Sequence, residues 1–243
     1  RIVSFPRRRE SRLNIPYNLV MHILVFSDTH RYLPFDQKKF NFLKKIINEA
    51  DQVIINGDFF DDYMISFDDF INSPWKDIFP LLKEKKAVYI FGNHDQEKFS
   101  DKRLNMFSVE QTSKYYLKIN NRTFIFVHGQ QFRKTADLFI KELFKPLVSL
   151  IVRIAHHKRQ NLVNIFGRNF LHFRFSYRNI ATKRKAIKTI KKNEFIIVGH
   201  NHWAEVDEKN HFACCGAILY GFAQYLIIDS TSGKITLHEE WYK

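Results

Sequence analysis

The sequence predicts an α/β fold. It opens on a parallel sheet and continues with hairpin-linked strands that make either one mixed sheet or two stacked sheets. Three observations carry this expectation. Short apolar runs alternate with helix-spaced stretches from His22 to Phe91, the pattern of strand–helix units. From Tyr115 onward, apolar runs arrive in pairs joined by turn residues, the pattern of hairpins. Five runs also stop at Asp, Asn or His residues, and α/β proteins place their sites beyond the carboxyl ends of strands. With 243 residues, 45% of them hydrophobic, the chain can bury a substantial core and is not a disordered one.

In order, His22 to Phe26 reads as a buried strand that ends in Ser27-Asp28-Thr29-His30. Phe40, Leu43, Ile47 and Ala50 fall at helical spacing, so 36–50 reads as a helix. Gln52 to Asn56 is a second strand, ending in Gly57-Asp58, and Asp61, Asp62, Asp68 and Asp69 follow in a loop or short helix. Trp75 to Lys85 reads as helix, and Ala87 to Phe91 as a third strand ending in Gly92-Asn93-His94-Asp95. Tyr115 to Ile119 and Thr123 to Val127 form a hairpin across Asn120-Asn121-Arg122, and the second strand runs into His128-Gly129. Phe195 to Val198 is a strand ending in Gly199-His200-Asn201-His202. Two further hairpins follow, Ala204 to Glu208 with His211 to Cys215, and Tyr225 to Ile228 with Ile235 to Glu239.

Composition narrows the setting. Phe is abundant at 25 residues, which requires a large aromatic core or an exposed apolar surface. No apolar run reaches the roughly 20 residues of a membrane span. Cys214 and Cys215 are adjacent, where a bridge is strained, and they have no C-x-x-C spacing for a metal; they read as thiols in a reduced, cytoplasmic chain. The net charge of +14 is concentrated between Phe132 and Asn193, which hold 16 Lys and Arg against Asp137 and Glu142. A basic segment on a near-neutral body points to a local anionic partner. Residues 1–20 show no periodicity and no signal-peptide core. Phe5 to Arg12 resembles a translated bacterial intergenic repeat, which would make Met21 the native start; the alternative is a disordered basic arm. Residues 21–243 are expected to form a single domain.

The strand ends carry Asp28 and His30, Asp58, Asn93 with His94 and Asp95, His128, and His200 with His202. Carboxylates mixed with imidazoles and no thiolate suit Mn²⁺, Fe or Zn²⁺ better than a soft-metal site. The neighbouring Gly57, Gly92, Gly129 and Gly199 fit tight turns at close backbone approach. His22, His156, His157, His172, His211 and His238 have no second motif at ligand spacing, and Asp61-Asp62 reads as a solvated loop.

The ordered blocks D-x-H, G-D, G-N-H-D, H-G and G-H-x-H resemble the calcineurin-like metallophosphoesterase superfamily over residues 22 to about 240. The resemblance implies a four-layer α-β-β-α sandwich of two mixed sheets and a centre of two divalent metal ions. Mn²⁺ is favoured, with Fe, Zn²⁺ and Mg²⁺ as alternatives. By that resemblance Asp28, His30 and His202 would hold one metal, and Asn93, His128 and His200 the other, with Asp58 bridging. His94 would face the phosphate and Asp95 would orient its ring. The chemistry implied is hydrolysis of a phosphoester or pyrophosphate by a metal-bridging water, with His94 stabilising the transition state or protonating the leaving oxygen.

Between His128 and His200 lies an insertion longer than a simple connection, about 132–193. Ala136 to Ala155 is strongly apolar, Phe166 to Phe175 alternates aromatic and basic residues, and Thr182 to Asn193 reads as a lysine-rich helix. It is expected as a helical cap over the site, or as an appendage with a solvated basic face. As a cap it suits an acylated, phosphate-bearing substrate and peripheral contact with the inner face of a membrane. Its position resembles the UDP-2,3-diacylglucosamine pyrophosphatase branch, which has G-N-R-D where this chain has His94. A nucleotide or nucleic-acid phosphodiesterase is the alternative, with nucleic acid the less favoured partner. A metal-binding scaffold is disfavoured because no expected ligand is replaced. Oligomeric state is open.

Overall fold

The computed structural model of the protein describes residues 20–30, 34–133 and 145–242. Its two sheets follow from strands whose two faces are both apolar. The first sheet contains β1 (His22–Phe26), β2 (Gln52–Asn56), β3 (Val88–Ile90) and β4 (Glu110–Thr112), each parallel to the one before it. On its other side β1 pairs antiparallel with β11 (Phe222–Asp229), which also pairs with β10 (Ile218–Leu219) and β12 (Ile235–Trp241). The second sheet runs β5–β6–β7–β9–β8, from β5 (Tyr115–Ile119), β6 (Arg122–Phe126), β7 (Glu194–Val198), β8 (Ala204–Asp207) and β9 (Phe212–Cys215). Within it β6, β7 and β9 are mutually parallel.

Strand periodicity decides the layering, since successive side chains face opposite ways. Ile23, Val25, Ile54, Val88 and Ile90 of the first sheet meet Leu117, Phe124, Phe126, Phe195 and Ile197 of the second. Alternate residues Leu24, Phe26, Val53, Ile55 and Tyr89 face outward. They pack against α1 (Gln37–Asn48), α2 (Phe67–Asn72) and α3 (Phe79–Glu84). On the far side, Ile125, Val127, Ile196, Val198 and Phe212 pack under Ala186 and Ile190. The result is the expected four-layer α-β-β-α sandwich. Much of the Phe content lies in the outer layer, where Phe59, Phe70, Phe79 and Phe107 are buried and in mutual ring contact.

Helix α4 (Lys145–Phe175) is bent at Gly167, whose φ is 57°. It docks through Val163, Leu171 and Phe175 against Trp203, Leu219 and Phe222. Helix α5 (Tyr177–Ala186) follows. The sequence placed a helix over 182–193; the helix instead starts earlier, and only a 3-10 turn, Ile187–Thr189, continues it. Its buried side is Asn179, Thr182 and Ala186, held by polar bonds: Asn179 Nδ2 donates to Trp203 O at 3.0 Å and Thr182 Oγ1 to Asn201 Oδ1 at 3.1 Å. Apolar spacing could not locate such a face. The Trp75–Lys85 helix divides into a 3-10 turn, Pro74–Ile78, and α3. The expectations for residues 1–19, and the 136–144 part of the apolar stretch, lie outside the described residues. Cys214 and Cys215 are buried and unbridged, and no described helix is long and apolar enough to cross a membrane.

Candidate metal centre

Five strands deliver the ligand-type side chains. β1 leads into Asp28 and His30, β2 into Asp58, β3 into Asn93 and His94, β6 into His128, and β7 into His200 and His202. Because β1, β2 and β3 run parallel, as do β6 and β7, their carboxyl ends share one edge of the sandwich. The turns are laced together by the backbone. Asp28 N donates to Gly57 O at 3.1 Å, His30 N to Asp58 O at 3.0 Å, and Gly199 N to His128 O at 2.9 Å.

The backbone is bent to the purpose. Asp28, His30, Asp58, His200 and His202 all have positive φ, between 42° and 63°. Left-handed conformations are unfavourable for residues with a Cβ and persist only where the surroundings enforce them. Gly92 is required by contact: a Cβ there would overlap Asp58 Oδ1 and stand 2.5 Å from Asp58 N.

Three sets of ligand-type side chains result. Asp28, His30 and His202 offer atoms within 4.8 Å of one another, as do Asp58, His128 and His200, and as do His30, Asp61 and His94, which share His30 with the first set. Asn93 Oδ1 joins the second set, 3.2 Å from His128 Nε2. Asp58 Oδ2 lies between the first two sets, 3.1 Å from His128 Nε2 and 3.7 Å from His30 Nε2. Asp28 Oδ2 accepts from Ser27 Oγ at 2.6 Å and His200 N at 2.8 Å. Its Oδ1 is buried without a hydrogen-bond donor, beside His202 Nε2 at 3.0 Å. A buried carboxylate oxygen left without a donor is costly, and a cation among these O and N donors removes that cost. The residues therefore fit hard or borderline divalent metals.

Electrostatics agree with the geometry. Burial opposes ionisation of Asp58, but His128 and His94 outweigh it and hold the carboxyl well below its usual range. Burial likewise opposes protonation of His128, yet Asp58 and Asp28 raise its imidazole to about 9. Burial, then the charge of His128, pushes His200 down to about 3. Nδ1 of His128 donates to Asn56 O at 2.9 Å, which leaves Nε2 toward the centre.

A family model for calcineurin-like phosphoesterases matches residues 21–204. The chain belongs to that family. It is accordingly a metal-dependent phosphoesterase, a hydrolase. No curated protein matches the chain. Among solved structures it is similar to Yfce, a phosphoesterase from E. coli, at 12% identity and a TM-score of 0.44, covering 92% of this chain and 100% of that one. It is also similar to Vps29 from Entamoeba histolytica complexed with zinc, at 12% identity and a TM-score of 0.41, with 92% and 100% covered.

Two sequence readings of this phosphoesterase need correction. Asp95 does not touch the His94 ring. It is fully buried; Oδ1 accepts from Gly92 N at 2.7 Å and Asp58 N at 3.0 Å, and Oδ2 from Phe59 N at 2.6 Å. It braces the turn that carries Asp58 and is a positioning residue, not a catalytic one. The ring of His94 belongs to Asp61, assigned by sequence to a solvated loop. Asp61 is only 4% exposed, and its Oδ1 accepts from His94 Nδ1 at 2.9 Å while Oδ2 lies 3.4 Å from His30 Nδ1. No local signal separates it from Asp62; its role comes from His94, 33 residues further along the chain. Beside His30 a cavity of about 460 Å³ opens, lined by Phe35, Lys39, Trp75, Arg153, His156 and Tyr220. His156, which has no ligand spacing in the sequence, is part of that cavity's wall.

Proposed function

We propose that this phosphoesterase uses two divalent cations to hydrolyse a phosphoester or pyrophosphate on an amphiphilic, phosphate-bearing substrate. Asp28, His30 and His202 would hold one cation, and Asn93, His128 and His200 the other. The observation that carries the reading is Asp58, whose carboxylate stands between the two ligand groups. When bound, the cations polarise phosphoryl oxygens and lower the pKa of a water so that it becomes the nucleophile; Mn²⁺ suits this donor set. The chain supplies the rest. Asp58 N and its carboxylate are fixed by Asp95 and by His94 N, which donates to Asp58 Oδ1 at 2.8 Å. With Nδ1 committed to Asp61, His94 presents Nε2 to the substrate, where it stabilises charge or hands a proton to the leaving oxygen.

The amphiphilic part of the reading rests on α4. Leu147, Leu150, Ile151, Ile154, Ile165 (71% exposed) and Phe173 (83%) are exposed on it, with Arg153, Lys158 and Arg159 interleaved. Apolar surface framed by cations suits an acylated phosphate and the anionic surface of a membrane. The test is hydrolysis with Mn²⁺ of bis-p-nitrophenyl phosphate, UDP-2,3-diacylglucosamine and single-stranded DNA. Preference for the acylated substrate, dependent on detergent or vesicles, supports the reading. Salt-sensitive DNA degradation as the dominant activity would overturn the substrate class, and absence of turnover on all three would overturn the hydrolase.

A further inference from the structure

Beside His200 and His202 stands a group of cations that the metal ligands and His94 do not use. The Phe175 ring packs on His202 at a centroid distance of 5.2 Å. Over that ring sit the guanidinium carbons of Arg178, at 4.7 Å, and Arg174, at 5.4 Å. The carbonyl of Arg133 lies 3.1 Å from His200 Nε2. Burial, then the charges of Arg133 and Arg174, depress the Arg178 guanidinium. The Tyr177 phenol accepts from Arg174 Nη1 at 3.5 Å and also neighbours the Arg178 guanidinium. Arg133 Nη1 and Arg178 Nε are both buried with no hydrogen-bond partner.

Such a group is unfavourable by itself. Like charges held close repel, and a buried donor without an acceptor loses its hydration for nothing. Among the described residues no carboxylate pairs with any of the three. An anion with several oxygens would cancel both costs, and the guanidinium fork matches phosphate oxygens in particular. The position, against the two histidines of the last block, is next to any phosphoryl group held at the metal centre.

We propose that Arg133, Arg174 and Arg178 form a subsite for a second phosphate group of the substrate, adjacent to the one that reacts. The subsite rests on the reading of the centre as a phosphohydrolase and narrows it to substrates with two neighbouring phosphates, as in a pyrophosphate linkage. Both a nucleotide and a lipid headgroup can carry that chemistry.

The test is titration calorimetry of the Mn²⁺-loaded full chain with methylenediphosphonate and with methylphosphonate. The diphosphonate is expected to bind at least about tenfold more tightly, roughly one charge-assisted hydrogen bond's worth. In Arg178→Gln and Arg133→Gln that preference should fall to about one. Arg184→Gln, which removes an exposed charge from the same helix, should keep it. Thermal melts check folding, and Arg174→Gln decides the matter if the other variants unfold. Equal affinity for the two phosphonates in the unaltered chain, or a preference that survives all three substitutions, would overturn the subsite. A kinetic arm with Mn²⁺ separates the sources. KM for UDP-N-acetylglucosamine or UDP-2,3-diacylglucosamine should rise about tenfold or more in the variants, and whichever is hydrolysed at lower KM identifies the carrier. Loss of all turnover with the diphosphonate preference intact would sink the hydrolase reading and leave the subsite standing.

Discussion

Asp61→Asn removes one charge from the centre while leaving its shape. The carboxylate is ionised at neutral pH. Burial works against that, but His94 and His30 outweigh it and hold the group well below the usual carboxylate range. Its Oδ1 takes the His94 Nδ1 proton at 2.9 Å. A hydrogen bond to a charged group contributes about 1.5–3 kcal/mol, and each 1.36 kcal/mol of barrier is about tenfold in rate. The expected loss in kcat is therefore about 10- to 150-fold. The assay is steady-state hydrolysis of bis-p-nitrophenyl phosphate at saturating Mn²⁺, with bound metal counted by mass spectrometry, because Oδ2 also lies 3.4 Å from His30 Nδ1. Metal content should remain close to that of the unaltered protein. If Asp61 acts through His94, Asp61→Asn should add no loss in a His94→Ala background, since residues that work as a unit are not additive. An unchanged kcat in Asp61→Asn, or losses that multiply in the double variant, would refute the assignment.

Three further outcomes are expected. Asp58→Asn should lose bound metal as well as activity, whereas His94→Ala should keep its metal and lose most turnover; full occupancy in Asp58→Asn would contradict a shared ligand. Metal uptake at pH 7.5 should release protons, because the His128 ring, raised to about 9 by Asp58 and Asp28 against the effect of burial, is protonated in the metal-free protein and must become neutral to bind. Apparent affinity should therefore rise with pH up to about 9, and calorimetry in two buffers of different ionisation heat should give different enthalpies. Phe107→Ala opens the outer core where that ring meets Phe79 at 4.9 Å, Phe59 at 5.3 Å and Tyr89 at 5.5 Å. It should cost about 3–5 kcal/mol, lowering Tm by about 6–20 °C for a domain of this size.

Strand ends were legible because each apolar run is short, buried on both faces and punctuated by a polar residue. His22 to Phe26 needed no tertiary information to be read as a strand. Asp61 was not legible. Nothing local separates it from Asp62, and its value comes from His94, which the chain brings back more than thirty residues later. Asp95 misled for a related reason: adjacency to His94 suggested contact, whereas the turn sends its carboxylate under Asp58 instead. β4 escaped notice because Glu110-Gln111-Thr112 is a polar edge strand without an apolar face. The bounds of α5 escaped because Asn179 and Thr182 anchor it.

β6 and β7 are direct neighbours in register, Thr123 opposite Glu194 and Phe126 opposite Ile197, yet the whole insertion is spliced between them. Closing a longer flexible loop costs little, about 0.6 kcal/mol per doubling of length. The sheet therefore places only a weak penalty on what lies between Phe126 and Glu194. His128 and His200 stay fixed by their own strands while the intervening chain is free to lengthen, shorten or be exchanged. On the proposed reading, in which α4 meets the substrate, a graft at those two strand ends would hand the same centre to a different clientele.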